Sequence, residues 1–175
     1  MEKECRIIIP REEYKRSYLA ALLEYHREGR NLEQDINIIE QNFSLFIKSF
    51  SDESKGIGLV GTRVPQTTYW LVDDSEYIGR VSLRHTLNDN LRNVGGHIGY
   101  DIRPSMRGKG FGTEALRLVL PKAKELGIQK VLLTCDSTNI ASKKIIESCG
   151  GIFENEVTLG KDTLSKLRFW IDIKK

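Results

Sequence analysis

Between Arg103 and Thr113 the chain reads Arg-Pro-Ser-Met-Arg-Gly-Lys-Gly-Phe-Gly-Thr, with glycines at alternate positions and two cations among them. Ahead of it lies a strand-like run, His97 to Ile102, ended by Pro104; behind it a helical stretch from Thr113 to Leu126 is stopped by Gly127. Alternate glycines allow successive backbone N–H groups to face one way and form a concave nest. The unpaired amides and dipole of the helix that starts there favour an anion at the same spot. Arg107 and Lys109 bring positive charge to the lip. A strand, an anion cradle and a helix in succession commit the chain to a fold that mixes helices with a sheet.

The rest of the chain supplies the sheet and its cover. A strand at Arg6–Ile9 stops at Pro10, and Tyr14, Tyr18, Leu22 and Tyr25 then recur at helical spacing up to Gly29. Asn31 with Gln34 resembles a capping pair that opens a second apolar stripe, Leu32, Ile36, Ile39, Phe43, Phe46 and Phe50. Residues Ser51 to Gln66 read as a loop. Thr67–Val72 and Tyr77–Leu83 have strand composition and flank a polar turn, which makes a hairpin. A turn at Asn88–Gly96 leads into the strand before the cradle. Pro121 should bend the following helix, since it removes a backbone hydrogen bond. Val131–Cys135 is an unbroken apolar run, the mark of a strand buried on both faces. A helix at Ile140–Cys149 and strands near Ile152–Leu159 and Leu167–Ile173 complete the order β-αα-βββ-α-β-α-ββ. That order predicts one α/β (mixed α+β) domain over residues 1–175, a mixed, mostly antiparallel sheet with helices on both faces.

Composition narrows the function classes. With 175 residues, 39% of them hydrophobic and 29% charged, the chain is expected to be an ordinary globular domain. The formal charge of +3 is too small to mark a nucleic-acid platform. The three cysteines are odd in number and far apart, so they are expected to be free thiols; the three histidines show no metal-ligand spacing. No secretory leader or membrane span is read, and a cytoplasmic setting is expected.

Two phosphate ligands compete for the cradle. The nucleoside-triphosphate loop GxxxxGK[ST] is absent. Gly110, Gly112 and Ala115 do spell G-x-G-x-x-A, with Asp136 as a ribose-binding acid 26 residues after Gly110, as in an NAD(P)-dependent oxidoreductase. Against that, Arg103–Arg107 separate the strand from the first glycine, and the strand carries His97 and Asp101 instead of continuous apolar residues.

Arg107-Gly108-Lys109-Gly110-Phe111-Gly112 resembles the R/Q-x-x-G-x-G/A signature of the GNAT superfamily of acyl-CoA-dependent N-acyltransferases, and Asn139-x-x-Ser142 is similar to its weaker second motif. The element order resembles the GNAT fold over most of the chain. The resemblance implies a splayed sheet with acetyl-CoA in the gap. Arg107, Gly108, Lys109, Gly110, Phe111, Gly112 and Thr113 would hold the pyrophosphate. The backbone of Ile102 and Arg103 would pair with the pantetheine arm, and Asn139 and Ser142 would touch the cofactor from the other side. It also implies an N-acetyltransferase whose acceptor, a small-molecule or peptide amine, attacks the thioester directly in a ternary complex; a non-catalytic acyl-CoA-sensing module is the alternative. The tyrosine that many relatives place seven residues after the Asn139 position is Ile146 here. For proton transfer the candidates are His97, whose ordinary pKa suits a base, Asp101 on its face of the strand, and Tyr100 on the other. Glu33 and Asp35 are expected near the acceptor or simply solvated. No metal is expected, and edge strands near the C-terminus suit a homodimer.

Overall fold

The computed structural model describes residues 5–158, 160 and 163–174. In chain order it contains β1 (Arg6–Ile8), α1 (Lys15–Arg27), α2 (Ile36–Gln41), α3 (Phe43–Ser54), β2 (Gln66–Val72), β3 (Tyr77–Arg84), α4 (Asp89–Asn93), β4 (Ile98–Ile102), α5 (Phe111–Glu125), β5 (Lys130–Asp136), α6 (Ile140–Ser148), β6 (Ile152–Val157) and β7 (Lys166–Asp172), with 3-10 turns at Glu12–Tyr14 and Pro104–Met106. The fold is a mixed α/β domain, as the element order predicts. Its sheet, however, is divided: β1-β2-β3-β4 form one antiparallel sheet and β5-β7-β6 another.

The two sheets meet at one point. The His97 N–H donates to the Leu132 carbonyl at 2.7 Å, and the Leu132 N–H donates to His97 Nδ1 at 2.9 Å. Gly96 permits the approach: it sits at φ 61°, and a Cβ there would lie 2.3 Å from the Leu132 oxygen. Beyond this seam β4 and β5 part. Ile102 at the end of β4 and Asn139 after β5 line the same cleft, so the two strands run in the same direction and open toward their carboxyl ends.

Each face of the sheets has its own core. Tyr14, Tyr18, Leu22 and Tyr25 of the first turn and α1, with Phe43 of α3, pack on Trp70, Val72 and Tyr77; Tyr18 stacks on Trp70 with ring centres 4.9 Å apart. On the other side α5 lays Ala115, Leu116, Val119 and Ala123 on Leu71, Val81, Ile98 and Leu133. Helix α5 runs through Pro121 without a break. Val131, Leu132, Leu133 and Cys135 are all buried, as the apolar run requires.

The expected second stripe is two helices. The chain breaks at Asn42 (φ −122°), and the N-cap is Asp35, whose carboxylate accepts from the amides of Asn37 and Ile38; Asn31 instead lies at φ 55° in a turn. Residues 89–93 form a short helix inside the expected turn. Leu159, the expected end of the sixth strand, lies outside the described residues.

Candidate active site

The parted strands open a cleft of about 620 Å³, the size range of small-ligand pockets. Its floor is the head of α5. Gly108 and Gly110 hold left-handed φ of 74° and 84°, and a Cβ on either would meet no atom within 4 Å. The consecutive amides from Gly108 to Gly112 have no hydrogen-bond partner among the described residues. Because the α5 dipole adds to these donors, the turn is built to hold an anion through the backbone.

The two cations of the motif are engaged elsewhere. Arg107 donates through Nε to the Ile102 carbonyl at 3.0 Å and through Nη1 to both Glu28 oxygens at 2.9 Å. Lys109 folds back onto the Ser105 carbonyl at 3.0 Å.

One wall of the cleft is the free edge of β4. Arg103 N–H bonds the Ile78 carbonyl and Arg84 N–H bonds the His97 carbonyl, so odd-numbered residues of this segment pair with β3. By the alternation of antiparallel ladders, the backbone groups of Tyr100 and Ile102 face the gap. Ile102 therefore lies where the sequence puts it, with its carbonyl held by Arg107. Arg103 does not: its N–H is taken by β3 and its side chain by Glu24.

The opposite wall comes from α6. Asn139 is its N-cap, Oδ1 accepting from the Ser142 amide at 3.0 Å, and Ser142 also lines the cleft. Ile146 is 1% exposed and belongs to the core, so it offers no polar group to the cleft.

The predicted proton-transfer residues separate. His97 is 9% exposed, sits at the seam and does not line the cleft. Burial, with Arg92 and Arg84 nearby, pushes its pKa down to about 4. A ring already accepting from Leu132 N–H is part of the joint between the sheets; the geometry withdraws it as the base. Asp101 and Tyr100 do reach the cleft, on opposite faces of β4. The Asp101 carboxylate, 14% exposed, is gripped by Arg30 at 2.8 and 3.2 Å. The Tyr100 hydroxyl is buried with no hydrogen-bond partner among the described residues. Burial pushes it up to about 12, the Ser142 side chain pulling the other way without reaching hydrogen-bond geometry. Glu33 and Asp35 do not line the cleft. Burial raises the Cys135 and Cys149 thiols, which suits packing and not nucleophilic attack.

Sequence reasoning missed Arg30, Met106, Ala141, Lys144 and Ile145 in the cleft wall. Ala141, Lys144 and Ile145 share a helical face, a signal the spacing did contain. Arg30 gave none: its partner is 71 residues away.

A split sheet whose gap ends on an amide cradle at a helix head defines a class of protein that binds an anionic ligand between its strands. The family profile of the acetyltransferase (GNAT) domain matches residues 41–152, more than half of the chain. The chain belongs to the GNAT acetyltransferases, acyl-CoA-dependent enzymes. No curated protein matches it in sequence. Among solved structures it is similar to the Microcin C7 self immunity acetyltransferase MccE in complex with acetyl-CoA and AMP (14% identity, TM-score 0.72, 98% of this chain and 94% of that one). It is also similar to RimL, a ribosomal L7/L12 alpha-N-protein acetyltransferase, in complex with coenzyme A (13%, 0.69, 97% and 94%). A third is a chimera of the spermidine N-acetyltransferase SpeG from Vibrio cholerae and hSSAT (16%, 0.63, 96% and 95%). The oxidoreductase reading of the glycines falls away: β4 enters from an antiparallel sheet, and Asp136, its ribose acid, is ion-paired with Lys166.

Proposed function

We propose that this chain transfers an acetyl group from acetyl-CoA to a primary amine by direct attack in a ternary complex. The observation that carries the reading is the run of amides from Gly108 to Gly112, unpartnered among the described residues, at the open end of the gap between β4 and β5. Those amides, with Thr113, would hold the pyrophosphate, and the backbone groups of Tyr100 with the Ile102 N–H would pair with the pantetheine arm as an added strand does, the Ile102 carbonyl being held by Arg107. When bound, the thioester supplies the electrophilic carbonyl and the thiolate leaving group.

The chain's own groups then have three tasks. A backbone N–H on the free edge of β4 stabilises charge on the carbonyl oxygen. Asp101, on the face toward α1, orients the acceptor ammonium and takes its proton once Arg30 lets go of the carboxylate. Tyr100, with Ser142 beside it, donates to the leaving sulfur. A phenol pushed up to about 12 stays protonated through the working range, so it serves as a hydrogen-bond donor and not as a full proton source. Asn139 fixes the head of α6, and so the place of Ser142.

The acceptor class, a small-molecule amine or a peptide amine, is tested by thiol release. The chain is mixed with acetyl-CoA and a panel of polyamines, amino acids, aminoglycosides and peptides, and free thiol is followed. Amine-dependent release with stoichiometric N-acetyl product is expected. Tight acetyl-CoA binding without release on any amine would favour a sensor on the same scaffold.

A further inference from the structure

Glu24 on α1 and Glu28, the C-cap of that helix, reach across to the short segment that leads from β4 into the cradle, and neither lines the cleft. Glu24 Oε1 accepts from Arg103 Nε at 2.8 Å and from the Ser105 hydroxyl at 3.1 Å, and Oε2 accepts from the Ser105 amide at 3.0 Å. Arg103 Nη2 also lies 2.8 Å from Oε1, and this ion pair is largely buried, its side chains 12% and 18% exposed. Burial pushes the Glu24 carboxyl up, but the bonds from Ser105 and Arg103 outweigh it and hold it below its ordinary value. Glu28 grips Arg107 farther out, where both side chains are more exposed.

The segment so held has little structure of its own. Residues 104–106 form a single 3-10 turn, closed by Met106 N–H to Arg103 O at 2.9 Å and Arg107 N–H to Pro104 O at 3.3 Å. A lone 3-10 turn is weak. The amide of Ser105 finds its partner on α1, and without Glu24 the largely buried guanidinium of Arg103 would keep only the Ser17 hydroxyl at 3.4 Å and the more distant Glu76 carboxylate at 3.9 Å. Where this turn sits decides where the Gly108–Gly112 amides point.

We infer that Glu24 is a positioning residue for the donor site: through Arg103 and Ser105 it holds the cradle in its binding-competent shape, so that donor affinity depends on a helix that never touches the donor. The inference rests on the acetyl-CoA reading above. A cradle competent for only a fraction of the time binds more weakly by that fraction, while an occupied site reacts as before. Glu24→Gln keeps the shape of the side chain and removes the charge. Its dissociation constant for acetyl-CoA, read by calorimetry on the ligand-free protein, is expected to rise about 10-fold. The turnover number at saturating acetyl-CoA and the KM for the amine should stay within about 2-fold. Glu28→Gln, at the exposed pair, should cost less than about 3-fold in affinity. Arg103→Gln attacks the same link from the other side and serves if Glu24→Gln does not fold; the double variant should lose less than the sum of the two.

Unchanged acetyl-CoA affinity in a folded Glu24→Gln or Arg103→Gln variant overturns the inference, as does a loss confined to the turnover number. A wild-type chain that does not bind acetyl-CoA would instead remove the donor assignment, and the positioning role with it.

Discussion

Tyr100 concentrates the tension in this site. Its ring packs with the α5 core, while its hydroxyl is buried without a hydrogen-bond partner among the described residues. Such a hydroxyl contributes little to stability and can cost about 1 kcal/mol or more, so its presence asks for a use. Tyr100→Phe separates the two roles. Thermal stability should be unchanged or rise by up to about 1 kcal/mol, whereas turnover at saturating acetyl-CoA should fall by roughly 10- to 100-fold. Melting curves and steady-state rates on one preparation check both, and equal rates would release Tyr100 from the chemistry. At this scale the sequence was legible where the signal is local. The glycine spacing of 108–112 marks the place of the cradle from local sequence alone. Arg107 and Lys109 looked like donors to the same anion; Lys109 folds back on the Ser105 carbonyl four residues away, while the side-chain partner of Arg107 was invisible for a physical reason: Glu28 is 79 residues distant, and only the packing of α1 on the 3-10 turn brings them together.

Among the elements, the seam between β4 and β5 matters most, because the cleft exists only if the strands are joined at one end and free at the other. Gly96→Ala would press a methyl against the Leu132 backbone in a left-handed conformation. The expected cost is about 2–4 kcal/mol, measured by urea unfolding, with donor affinity falling alongside. His97 adds a pH term to this seam. Its folded pKa, about 4, lies below the ordinary 6.5. The unfolded chain therefore binds its proton first. The seam's contribution is complete above pH ~6.5 and is lost progressively as pH falls toward ~4. His97→Gln, which can still accept from the Leu132 amide, should flatten that part of the stability–pH curve; an unaltered curve would acquit the imidazole. Element type followed from periodicity nearly everywhere, but its limits were set by caps. The stripe from Leu32 to Phe50 reads as one helix because residues three and four apart are apolar throughout. Asp35 starts the helix instead of Asn31, since its carboxylate satisfies two amides at once, and Asn42 divides it.

At the scale of the whole molecule, the division of the sheet could not be read from strand composition. Strand β5 is apolar on both faces, the pattern of a strand inside a continuous sheet, yet it pairs along its length only with β7 and touches β4 at a single joint. A cleft made by that opening lies between the two sheets, so a ligand that fills it bridges both and stabilises the entire fold. Acetyl-CoA at about 100 times its dissociation constant should add roughly 2.7 kcal/mol, which for a domain of this size is about 5–10 °C in Tm. NADPH at the same concentration should leave the Tm in place. In Gly110→Asp the new Cβ meets no atom within 4 Å, so the fold should lose only about 1 kcal/mol to the left-handed backbone. Its carboxylate would lie among the Gly108–Gly112 amides and compete with the pyrophosphate, so the acetyl-CoA shift should vanish. If that variant were stabilised as much as the wild type, the donor's phosphates would have to sit elsewhere, and the joint at Gly96 would be holding the sheets apart for some other ligand.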